Sequence, residues 1–185
     1  MDDGHLKKSN GVVKKIILST DSFTQSENLQ LIKLLEKKFS LYFSLDGQNR
    51  LILYDQLQIV YFCRLVHPYL HPSMDRKMMK SKHLSDNIFP KRTTIYLPKD
   101  IKLTKPTFEI NSQLQLLSKL YKIVYNREDY IYHYKIKISL VRNHLNTKQY
   151  QVVIESGYWS IINDIKKITG LNNSQVVTLC FYFNN

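Results

Sequence analysis

The 185-residue chain contains no alanine at all, and only five glycines, five prolines and one tryptophan. Asn, Lys, Ile and Tyr are abundant instead. Residues with GC-rich codons are thus depleted and those with AT-rich codons enriched, a pattern expected of an AT-rich genome such as a mitochondrial one. A mitochondrial location is expected on that basis. Cysteine is scarce too: Cys63 and Cys180 lie in apolar stretches without paired spacing, which argues against a disulfide framework or a zinc site and fits a reducing compartment. No apolar run approaches the roughly 18 residues that span a bilayer, so no membrane partner is expected. The opening residues show neither an apolar signal-peptide core nor an Arg-rich, acid-poor amphipathic start. Gly-rich phosphate loops, nucleophile elbows and Cys–His pairings are missing as well. Five of the six histidines are scattered without metal-ligand spacing, and His5, close to Asp3, could touch a metal.

Acidic residues are also short. Fifteen Asp and Glu face 27 Lys and Arg, leaving a formal charge of +12. A surplus of that size attracts polyanions, and nucleic acid is the expected partner. With 43% hydrophobic residues the chain has enough apolar side chains for a packed core.

Hydrophobic periodicity divides the chain. Val12 to Thr20 alternates as a half-buried strand, with Ile16 and Leu18 set against Lys15, Ile17 and Ser19. Thr24 and Glu27 form a capping box ahead of Leu29, Ile32, Leu35 and Phe39 at helical spacing. LYFSLDGQNRLILY reads as a hairpin turning at Gly47. Asp55 can cap a second helix that runs until Pro68. The polar stretch SKHLSDNIFPKR suggests a linker, with a boundary near residue 85, giving parts at 1–79 and 93–185 joined by 80–92. Residues 80–185 carry nine of the twelve net positive charges.

MDDG, KKIILSTDSFT, the helix ending KKF, the hairpin and LVHPYLHPSMDRKM together resemble the second half of a LAGLIDADG homing endonuclease, over residues 1–79. The resemblance implies an antiparallel saddle-shaped sheet with packed helices, and with it an α+β fold for the chain. In that family an acidic residue just before a glycine, at the end of the namesake helix, holds divalent metal with its counterpart from a second half-domain; Asp3 matches it. The chemistry implied is a two-metal clamp of hard cations and oxygen ligands, with Mg²⁺ the cofactor if the chain is active and none otherwise. Lys77 matches a basic position near the cleavage site. The saddle reads bases with outward-facing side chains, here Lys15, Ser19, Asp21, Tyr42, Ser44 and Arg50. The family's stretch of small and apolar residues ahead of MDDG is not in this sequence, and the motif occurs once. Two expectations follow: a relic that binds without cutting, or one subunit of a split DNA endonuclease needing a complementary half-domain or other protein subunits. Because family relatives also serve as intron maturases, RNA is the favoured partner and DNA the alternative. The expected role is that of an RNA-binding component of an organellar ribonucleoprotein, such as a mitochondrial ribosome or a splicing complex.

The second part is expected to be a basic α+β extension. RTTIYLP reads as a strand and 107–125 as one helix carrying Leu114, Leu117 and Tyr121. IYHYKIKISLVRNHL reads as a strand with Tyr130, Tyr132 and Tyr134 on one face, able to stack bases while Lys135, Lys137 and Arg142 contact phosphates, or simply to pack. KQYQVVIES reads as a strand, then two helices meet at Gly170, a C-cap glycine. This order, over 148–185, resembles a ribbon-helix-helix module, a dimer whose paired strands enter the major groove.

Overall fold

A computed structural model describes residues 4–9, 12–77, 92–142 and 146–184. The chain divides into two compact units, Met1–Lys80 and Ser81–Asn185.

In the first unit, β1 (Gly4–Ser9) pairs antiparallel with β2 (Val12–Leu18). A bulge between Lys7 and Lys8 shifts the register. Helix α1 (Gln25–Phe39) follows, then β3 (Ser44–Leu45), β4 (Leu51–Leu53) and helix α2 (Gln56–Val66). The strands form one antiparallel sheet in the order β1-β2-β4-β3 among the described residues. Both helices stand where local signals put them. Thr24 and Glu27 make the full capping box that starts α1, Asp55 accepts the Gln58 N–H at 3.0 Å to start α2, and a 3-10 turn containing Pro68 ends it. β1 was not expected, because residues 1–4 resemble a helix end; Gly4 instead opens a strand whose partner residues run from Leu18 back to Val12.

The sheet packs on α2 through β2. Ile16 pairs with Leu53 and Leu18 with Leu51, and Ile16, Leu51 and Leu53 are essentially fully buried. A second anchor is polar. Asn28 on α1 is fully buried, and its amide donates to Thr20 O at 3.1 Å and to Asn49 O at 2.8 Å. Asn49, with positive φ of 59°, sits in the β3–β4 turn and donates in return to Phe23 O at 2.6 Å. Asn is well suited to that backbone because it tolerates the left-handed region.

In the second unit, β5 (Thr93–Pro98) precedes α3 (Pro106–Leu114), α4 (Leu117–Tyr125) and α5 (Arg127–Ile136). A 3-10 turn at Ile138–Arg142 leads towards β6 (Thr147–Val152), α6 (Ser156–Thr169) and α7 (Asn173–Asn184). The strand, helix, helix order of the last elements is present, and Gly170 caps α6 with φ of 76°. The rest differs from expectation in three ways. The helix expected over 107–125 is two helices, broken at Gln115 and Leu116. Residues 127–136 are helical, because Asn126 accepts from the N–H groups of Glu128 and Asp129, and acids in the first turn suit a helix N-terminus. Tyr130 and Tyr134 therefore lie one turn apart and fully buried, while Tyr132 is exposed, so the three tyrosines share no face. Finally, β6 pairs along its whole length with β5 of the same chain, from Thr93↔Val152 to Pro98↔Thr147. The ribbon closes within one chain, where a ribbon-helix-helix dimer would take its second strand from another copy.

α4 packs against α6, and the buried stripe Trp159, Ile162, Ile165 on α6 faces a core that includes Leu117, Leu120 and Val124 of α4. Both cysteines are buried, Cys63 in α2 and Cys180 in α7. Burial pushes the Cys180 thiol up to about 12.

Candidate nucleic-acid interface

The register of the first sheet sorts its residues by face. Gly4, Leu6, Ile16, Leu18, Leu51 and Leu53 share one face. His5, Lys7, Lys15, Ile17, Ser44 and Ile52 share the other. On this second face Ile17 and Ile52 stand opposite one another and are buried at its centre, while His5, Lys7 and Ser44 are exposed and Lys15 is half-buried. Tyr54, just beyond β4 and 60% exposed, lies under the Lys15 ammonium, 5.5 Å from its ring centroid. Tyr42, two residues before Ser44, is 48% exposed and is held by its N–H, which donates to the Gln58 side chain at 2.6 Å. No acidic residue occurs in β1 to β4. A cationic rim with exposed aromatic rings around an apolar centre can take phosphates on the lysines and bases against the rings.

The residues expected to face outward are only partly brought together. Lys15 and Ser44 share the second face, although Ser44 also lies 3.5 Å from Ile52 O as a hydrogen-bond donor. Ser19 and Asp21 are exposed beyond the end of β2, and Asp21 occupies a turn. Arg50 is engaged elsewhere: its guanidinium donates twice to Asp46 Oδ2, at 2.9 and 2.7 Å. That pairing, strengthened by the Arg50 N–H, holds the Asp46 carboxyl down to about 2 and pins the hairpin turn. Arg50 therefore closes the loop and has little freedom to reach a phosphate. His5, Lys7 and Tyr54 were missed. The alternation of His5 and Lys7 against Leu6 was the available signal, hidden because residues 1–4 resemble a helix terminus.

Asp3 lies outside the described residues, and Lys77 ends a 3-10 turn at Pro72–Lys77 whose side chain at that position is likewise outside them. Among the described residues no group of three His, Cys, Asp or Glu side chains converges into a metal site.

In the second unit Lys135 lies on α5, Lys137 just after it and Arg142 at the end of the 3-10 turn. Lys137 braces the fold. Its ammonium donates to Tyr182 O at 2.6 Å and sits 5.0 Å from the Phe183 ring centroid, tying the end of α5 to the end of α7.

Residues 1–58 match the LAGLIDADG DNA endonuclease family. The matched segment contains the whole sheet described above and ends at the start of α2. No solved structure matches the chain. No helix among the described residues is long and apolar enough to cross a membrane.

Proposed function

We propose that this protein binds duplex DNA through the second face of its first sheet and does not cut DNA on its own. The observation that carries the proposal is the acid-free strand set with Lys7, Lys15, His5 and Tyr54 arranged on one face, within the segment that matches a DNA endonuclease family. Phosphate neutralisation and counterion release supply most non-specific affinity, and they need no metal. The ribonucleoprotein role expected from the sequence has net charge and composition in its support, whereas the family match favours DNA. The alanine-free composition supports a mitochondrial setting.

The test is the salt dependence of binding, read by fluorescence anisotropy of a labelled DNA duplex between low and moderate salt. Each phosphate contact contributes about 0.9 to the slope of log affinity against log salt, so Lys7→Ala/Lys15→Ala should flatten that slope by about 2. The charge-matched control Lys33→Ala/Lys37→Ala, on exposed positions of α1, should leave it nearly unchanged. An unaltered slope in the first variant would sink the assignment of this face.

The family match also favours a second reading, one subunit of a split endonuclease with Asp3 as Mg²⁺ ligand and Lys77 as accessory cation. It predicts Mg²⁺-dependent cleavage of duplex DNA when a complementary half-domain is co-expressed, abolished by Asp3→Asn. Cleavage by the purified chain alone would overturn the binding-only proposal.

A further inference from the structure

The second unit leaves one sheet edge without a strand. β5 and β6 form a two-stranded antiparallel ribbon, and α7 packs along β5. The Lys99 N–H donates to Asn146 O at 3.2 Å, which makes that rung a bonded one and fixes the alternation along the ribbon. Lys148, Tyr150 and Val152 therefore turn their backbone groups towards β5, while Thr147, Gln149 and Gln151 turn theirs away from it. The opposite strand has the same parity: Tyr96, paired with Gln149, donates its N–H outward to Ser174 Oγ at 3.0 Å. Past Val152 the outward positions are Val153 and Glu155. There the Asn111 side chain of α3 takes the place of a strand, donating to Val153 O at 2.8 Å and accepting from the Glu155 N–H at 3.1 Å. Among the described residues no strand or side chain does the same for the outward N–H and C=O groups of Thr147, Gln149 and Gln151. The usual guards of an edge are weak here. β6 has no proline, and its only charge, Lys148, lies over the Tyr150 ring at 5.2 Å from the centroid.

We propose that the β6 edge takes an extended peptide segment of another protein as a third strand, with an apolar side chain of that segment seated at the N-terminal end of α3. Backbone donors and acceptors at two-residue spacing match an extended chain and supply affinity, while a pocket beside the edge supplies specificity. Such a pocket lies in line with this edge. Asn111 and Glu155, which close the ladder, line it together with Pro106 and Phe108, and Phe108 is 72% exposed. At the other end of the edge Lys148 offers an ammonium. The segment that fits therefore carries an acidic residue at the Lys148 end and a large apolar one at the pocket end. A second copy of this chain fits less well. Asn111 would confine a β6-to-β6 ladder to residues 147–151, far fewer than the roughly 20–30 residues a side of a stable interface, and the pocket would stay unfilled.

The probe is a displayed library of random linear peptides panned against the full chain, from which the strongest binder is synthesised with a fluorescent label. A single N-methyl group moved along that peptide should weaken binding roughly tenfold at every second residue of the bound stretch and little at the residues between, because alternate amides face the edge. Gln149→Pro removes an outward N–H and leaves the β5 ladder intact, so it should weaken the peptide at least about tenfold. Phe108→Ala, at an exposed side chain, should weaken it roughly tenfold through the lost apolar contact. Gln115→Ala, an exposed glutamine between α3 and α4, is the control and should behave as the parent. Circular dichroism and Trp159 emission confirm that the variants remain folded. Duplex binding through Lys7 and Lys15 of the first unit should be the same in all three, so the two proposals fail separately. Equal sensitivity to N-methylation at every residue overturns this one, as does unchanged peptide affinity in folded Gln149→Pro and Phe108→Ala. A library that yields no binder overturns it too. So does a parent chain that sediments as a dimer and becomes monomeric on Gln149→Pro, since a second copy would then be the occupant.

Discussion

Trp159→Ala will destabilise the second unit by about 3–5 kcal/mol, the range for emptying a buried aromatic site. Trp159 is nearly fully buried on the α6 stripe that meets α4. Small domains hold only about 5–15 kcal/mol in total, so the variant will sit at or beyond the edge of folding. Cys180 reports the outcome. Its thiol, held up at about 12 in α7, has almost no thiolate near neutral pH and should resist thiol reagents in the parent. In Trp159→Ala its labelling should become fast under native conditions, while Cys63, in the first unit, should remain slow. Trp159→Phe, which keeps a ring in the site, should restore protection. Slow Cys180 labelling in the alanine variant would show that this helix pair does not govern the second unit.

Asn28→Ala will have the complementary effect on the first unit, at about 2–3 kcal/mol. The amide of Asn28 serves Thr20 O and Asn49 O together, and a buried carbonyl stripped of a donor costs about 1–3 kcal/mol. Each of these carbonyls keeps another partner, Phe23 N–H for Thr20 O and Thr20 Oγ1 for Asn49 O, which places the cost below the full sum. The change should loosen the hairpin turn and raise the labelling of Cys63. It should leave Trp159 emission and Cys180 protection as they are, because the chain's only tryptophan lies in the second unit. Duplex binding should fall with it, because Ser44 and the Tyr54 end of β4 depend on that hairpin. If Cys180 opened in step with Cys63, the two units would be unfolding as one.

The two cysteines and the one tryptophan make these effects separable, and they also show where local reading ends. Thr24 with Glu27, Asp55 and Gly170 could be read directly because each hydrogen-bonds within a few residues of itself, so the chain segment carries the whole interaction. The same holds for β6, whose alternation records one buried face, whereas β2 buries Ile16 on one face and Ile17 on the other. The Tyr130–Tyr132–Tyr134 alternation misled for a related reason: a period of two is visible in any segment, but the Asn126 cap decided that the backbone there is helical.

Pairing between distant segments was beyond the sequence. That β6 would take β5 as its partner, with Thr93 opposite Val152, depends on three helices returning the chain to that edge. That Gly4–Ser9 would form a strand depends on β2 offering an unpaired edge to it. The candidate interface divides the same way. Net charge pointed to a nucleic-acid partner, and Lys15 and Ser44 were named from strand alternation together with the family resemblance. Tertiary structure decided that Lys7 and Tyr54 join them, that Arg50 is held by Asp46, and that Lys137 braces α7, because a side chain's freedom is set by neighbours that the local sequence does not contain.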